Sequence, residues 1–162
     1  MCGLVGSFFM FFLAGCSGIS GSNSEFSLNE FNARVAVNDN GKNYECEIKH
    51  SPQGVEHVKF LKPEALNGLS IMCEDSEYKI SKKDLCAKYN SNPLDLNSAI
   101  FKIFSILKSM NNPENFKLIS KSNDKMIYEG SANGEKYEFT TDKSENLLTI
   151  TVTDKKIFLK VI

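Results

Sequence analysis

Pro93-Leu94-Asp95-Leu96-Asn97-Ser98-Ala99-Ile100-Phe101-Lys102-Ile103-Phe104-Ser105-Ile106-Leu107-Lys108-Ser109-Met110 is the one convincingly helical stretch of this chain. Leu96, Ala99, Ile100, Ile103, Phe104 and Leu107 recur at helical spacing. Asn92 or Asp95 is placed to cap its start, and Asn111-Asn112-Pro113 ends it. Phe101 and Ile106 widen the apolar stripe beyond what a single contact surface needs. A helix this apolar is buried, and the only partner the rest of the chain offers is a sheet.

On both sides of the helix the sequence alternates like strands. Upstream, Tyr44, Cys46 and Ile48 face one way while Glu45, Glu47 and Lys49 face the other. Phe26 to Val37 precedes this strand across Asn38-Asp39-Asn40-Gly41, a tight-turn sequence. Val55 to Leu61, Leu69 to Cys73 and Tyr78 to Ser81 follow as further short strands. Lys82 to Asn92 is polar and irregular, with a single helical turn expected over Asp84 to Tyr89. Downstream, Phe116 to Ser122, Met126 to Ala132, Glu135 to Thr141, Leu147 to Thr153 and Ile157 to Ile162 form a second meander. Strands with one apolar face need that face covered, and the helix is the element able to cover it. The expected fold is α+β: a curved antiparallel sheet, a half-barrel of roughly nine strands, wrapped around one long helix over residues 26–162.

The chain has 162 residues, with 19 Lys and Arg against 20 Asp and Glu, for a net charge of −1. Arg34 is the only arginine, and phosphate and base-edge recognition lean on arginine, so no nucleic-acid partner is expected. Gly3 to Leu13 is an apolar run too short to span a bilayer comfortably. It ends in Leu13-Ala14-Gly15-Cys16, which resembles the lipobox of bacterial lipoproteins. That resemblance implies a signal peptide at residues 1–15, lipid on Cys16, and a flexible tether over residues 16–25. It implies a protein anchored on the extracytoplasmic face of the cell membrane, with an envelope protein as a further partner. The alternative is a buried N-terminal helix or strand.

Cys46, Cys73 and Cys86 read as small buried hydrophobes; were one pair oxidised, it would be Cys73 with Cys86, which flank a predicted hairpin. His50 and His57 flank the Pro52–Gly54 turn. A hairpin turning at Pro52-Gln53 sets His50 opposite Val55 and His57 opposite Ile48, so both are expected on the surface and not as metal ligands. There is no Gly-x-Ser-x-Gly elbow between strand and helix and no glycine-rich phosphate loop. The chain is therefore expected to be no enzyme and to hold no metal or cofactor.

Four features occur in a suggestive order: the lipobox, Phe26-Ser27-Leu28-Asn29-Glu30-Phe31, an Asn-Gly hairpin, and the loop Lys62-Pro63-Glu64-Ala65-Leu66-Asn67-Gly68-Leu69. Followed by a helix and a closing meander, this resembles small Gram-positive lipoproteins of unassigned function and the half-barrel of the lipoprotein carriers LolA and LolB. Pro63 to Leu69 is its most specific element. The carrier resemblance implies an apolar cavity that receives acyl chains. Ile100, Phe101, Ile103, Phe104 and Leu107 of the helix would line it against Tyr44, Met72, Tyr137 and Phe139. An apolar ligand, such as an acyl chain or a peptide segment, is the expected occupant. The same residues also suit an ordinary filled core, and the chain would then be a surface protein-interaction module that pairs with its partner along a strand edge.

Overall fold

The computed structural model describes residues 26–28, 30–74, 77–90 and 98–162. The signal segment 1–15, the tether 16–25, Cys16, and the proposed caps Asn92 and Asp95 lie outside them. Before the helix run β1 (Phe31–Asp39), β2 (Lys42–His50), β3 (Glu56–Lys62), β4 (Ser70–Glu74), β5 (Glu77–Lys82) and β6 (Leu85–Tyr89). After the helix α1 (Ala99–Ser109) come β7 (Phe116–Lys121), β8 (Lys125–Ala132), β9 (Glu135–Asp142), β10 (Leu147–Val152) and β11 (Ile157–Val161).

All eleven strands join one antiparallel sheet in the order β6-β5-β4-β3-β2-β1-β11-β10-β9-β8-β7. It is two meanders fused where β1 pairs with β11, Val35 opposite Val161 and Val37 opposite Leu159. The sheet does not close, and β6 and β7 are its edges. Asn40-Gly41 and Asn133-Gly134 turn their hairpins with φ of 50° and 87°, and 51° and 80°. Positive φ at both central residues matches the twist of the flanking strands, and Asn and Gly accept it at least cost.

One face of the sheet is apolar across its middle. Val35, Cys46, Ile48, Val58, Phe139, Ile150 and Leu159 all lie on it and are fully buried. The strand order puts five spacings between β2 and β8. That is about 24 Å across a flat sheet at roughly 4.8 Å per step, while a helix is only about 10 Å across. Yet α1 touches both β2 and β8. The sheet must therefore curl around the helix, and the curl makes the buried face concave.

The concavity has three parts. Toward β7–β9, Phe26 packs with Phe116, Tyr128 and Phe139 at ring separations of 5.3–5.7 Å. The centre holds Ile103, Leu107 and Met110. Leu28 N–H donates to the Met110 carbonyl and ties the entering chain to the helix end. The third piece, the inner face of β3–β5, is covered only in part, which leaves the space described below.

Several expectations need correction. The sheet has eleven strands, not about nine. The stretch read as irregular with one helical turn contains strand β6, which pairs Lys82 with Leu85 through Tyr78 with Tyr89. Lys83 takes φ of 53° and turns that hairpin. All five residues of β6 are exposed, so no buried period marked it in the sequence. The described helix is also short, 11 residues rather than 18. Its cap is Ser98, whose hydroxyl accepts from Phe101 N–H. A serine in extended geometry there satisfies a first-turn donor.

Candidate functional site

The nine predicted cavity residues have different fates in the curled sheet. Ile103, Leu107 and Phe139 are completely buried, and Ile100, Phe104 and Tyr137 nearly so. Tyr44 is half-buried and packs edge-on against Phe60, ring centres 5.9 Å apart. Met72 is on the other face of the sheet. It pairs with His57, whereas the inner-face residues Glu56 and Val58 pair with Cys73 and Ile71. Phe101 stands half-buried on the flank of α1.

Open space lies along that flank. A hollow of about 670 Å³ sits between the Pro52–Gly54 turn, Glu56, Cys73 and Tyr78 of the sheet, and Phe101, Phe104 and Lys108 of the helix. A second, of about 430 Å³, lies between Phe101, Lys102 and Ile106 and the β8–β9 turn at Ala132, Asn133 and Glu135. Phe101, Ser105 and Asn133 border both, so the two hollows adjoin as one groove along α1. Of the nine predicted residues, Phe101 and Phe104 border it; the other seven border neither hollow. The centre beneath the helix is filled, and the open space lies to its side.

Charged groups stand at the base of each hollow. Lys102 is buried and pairs with Glu135, which Lys155 also approaches at 3.8 Å. At the other end Glu56 Oε1 meets His50 Nδ1 at 2.6 Å, and His50 Nε2 meets Asn111 Oδ1 at 2.8 Å. Both ring nitrogens face oxygens, Glu56 Oε1 and Asn111 Oδ1, an arrangement that a doubly protonated imidazole satisfies at both ends. Burial works against that charge, but the hydrogen bonds to Glu56 and Asn111 and the carboxylate's attraction outweigh it and hold the His50 pKa above the ordinary value. Burial raises the Glu56 carboxyl, partly offset by His50 and by Lys108. Glu56 Oε2 is buried with no hydrogen-bond partner among the described residues.

This network was not legible as a site in the sequence. His50 was expected on the surface, opposite Val55. The loop instead closes with Ser51 N–H donating to the Val55 carbonyl, which sets His50 opposite Glu56 and His57 opposite Lys49. His50 and Glu56 both end up on the apolar inner face. The available signal was the alternation itself: Tyr44, Cys46, Ile48 and His50 share one parity, as do Glu56, Val58 and Phe60. His57 is on the outer face, 2.7 Å from Ser70 Oγ.

Cys46, Cys73 and Cys86 are all free. The structure does not bring Cys73 and Cys86 together. They lie two strands apart, and the register sets them on opposite faces: Cys73 pairs with Tyr78, and Cys86 with Ser81, three residues further on. Burial pushes the Cys46 thiol up to about 12, which makes it a poor nucleophile.

No family model and no curated protein matches this chain. Among solved structures, an uncharacterized conserved protein from Thermus thermophilus is similar at 16% identity, over 83% of this chain and 76% of that one, with a TM-score of 0.52. That likeness is one of fold. A LolA superfamily protein from Nitrosomonas europaea is similar at 10% identity, over 79% and 66% of the two chains, with a TM-score of 0.37.

Proposed function

We propose that this chain is a lipid-anchored protein of the extracytoplasmic membrane face that holds an apolar chain, acyl or peptide, in the groove beside α1, and catalyses nothing. The observation that carries the binding function is the groove itself: the helix fills the centre of the curled sheet, yet leaves hollows of about 670 and 430 Å³ bordered by Phe101 and Phe104. Hollows of this size suit small apolar ligands. The anchor rests on Leu13-Ala14-Gly15-Cys16.

A fluorescent fatty-acid analogue added to the full chain is expected to bind saturably. Ser105 borders both hollows, so Ser105→Trp fills the space between them. It should weaken uptake by roughly tenfold or more, about 1.4 kcal/mol. Absence of saturable uptake by the wild type, or uptake indifferent to this substitution, would sink the groove as a ligand site. For the anchor, cells fed radiolabelled palmitate are expected to label the wild type and not Cys16→Ser. Equal labelling of both would remove Cys16 as the lipid site.

A second reading has one observation in its favour. Edge strand β6 exposes Leu85 at 78% and Tyr89 at 42%. An apolar strand on an open edge suits a protein partner that adds a strand of its own. Strong partner capture together with no ligand uptake would favour this reading.

A further inference from the structure

We infer that the groove selects an apolar chain whose polar end is a neutral hydrogen-bond donor, a hydroxyl or a primary amide, and that Glu56 is the group that accepts from it. This rests on the groove being a ligand site. Glu56 borders the larger hollow, is 6% exposed, and has one oxygen engaged by His50 and the other by nothing among the described residues. Buried polar atoms in folded proteins are almost always partnered. Glu56 lines the groove, its Oε2 is buried, and the terminal torsion of a glutamate is broad and soft. A small rotation of the carboxyl turns Oε2 toward a ligand.

The surrounding charges choose the class of donor. The His50 cation balances the Glu56 carboxylate, so no second cation is needed to neutralise it. Lys108 borders the same hollow and repels an ammonium head. A carboxylate head would bring its anion against Oε2, and pairing with the exposed Lys108 compensates little in water. A neutral donor meets neither objection. Its chain then lies along Phe101 and Phe104, which border the same hollow.

The test compares three probes of one chain length on the full-length protein at neutral pH by titration calorimetry: 1-monododecanoylglycerol, dodecanoate and dodecylamine. The glycerol ester is expected to bind about tenfold or more tightly than either charged probe, the scale of one well-made buried hydrogen bond. Glu56→Gln should bring the three to within about threefold of one another. Should that variant fail to fold, Glu56→Asp keeps the charge but withdraws the carboxyl by one methylene, and the same levelling is expected. Equal wild-type affinities, or either charged probe ahead, would overturn the assignment of Glu56 while leaving the groove as a ligand site. Preference that persists unchanged in both variants overturns it too. Binding of none of the three overturns the groove as well.

Discussion

Phe139→Ala is expected to remove about 3–5 kcal/mol of stability, the usual range for truncating a buried aromatic ring. Phe139 has no exposed surface and is the hub of an aromatic cluster. It stacks on Tyr128 at 4.6 Å and 10°, meets Phe116 at 5.1 Å and Phe26 at 5.3 Å, and lies 6.1 Å from Tyr137. Phe26 precedes the first strand and Phe116 opens β7, so the ring joins segments far apart in the chain. Each ring pair adds roughly 0.5–1.5 kcal/mol beyond the buried area. Against a total of about 5–15 kcal/mol for a natural domain, this loss is large. Met72→Ala is the control: its outward, half-buried side chain should cost less than about 1 kcal/mol. Urea unfolding followed by circular dichroism measures both. Similar losses for the two would mean that the inner and outer faces are assigned wrongly.

His50→Leu should be comparably damaging, for an electrostatic reason. It leaves the Glu56 carboxylate buried with neither oxygen satisfied by a side chain, and breaking a buried pair from one side costs about 3–5 kcal/mol. It also strips Asn111, just past the helix end, of its partner on β2. The double variant His50→Leu, Glu56→Leu removes both charges and should be more stable than His50→Leu alone. A double variant less stable than the single one would show that the network contributes through its hydrogen bonds and not through balanced charge.

The same pair makes stability depend on pH in a stated direction. The folded protein holds the His50 proton more tightly than the unfolded chain does. Stability from this group is therefore complete below the ordinary value of 6.5 and is lost as pH rises through the raised value. The raised Glu56 carboxyl acts in the same sense, beginning from its ordinary 4.5. Wild-type stability should fall on raising the pH above 6.5, and the double variant should lose this slope. A wild-type midpoint that rises over that window would contradict a His50 cation.

Much of the architecture follows from signals that act over a few residues. The parity of Tyr44, Cys46 and Ile48 declares which face of β2 is wet. Asn40-Gly41 and Asn133-Gly134 declare their hairpins, because few other residue pairs accept two successive positive φ values. The apolar stripe of residues 99–107 declares a buried helix. These place two meanders, one helix and a one-sided sheet.

What remained was decided by contacts between residues far apart in the chain. The β1–β11 pair that fuses the meanders joins Val35 to Val161, and no local period records it. Because α1 reaches both β2 and β8, the sheet curls; the curl turns Ile103, Leu107 and Phe139 into filled core and leaves Phe101 facing open space. The closure of a single loop pairs His50 with Glu56 and puts that carboxylate on the inner face, since a shift of one residue in the pairing would turn Glu56 to the other face. The sequence by itself determined which residues are apolar, how they alternate and where the chain turns, because those properties are local. The tertiary structure decided which apolar residues are core and which border a groove, because that depends on how far a sheet bends around its helix.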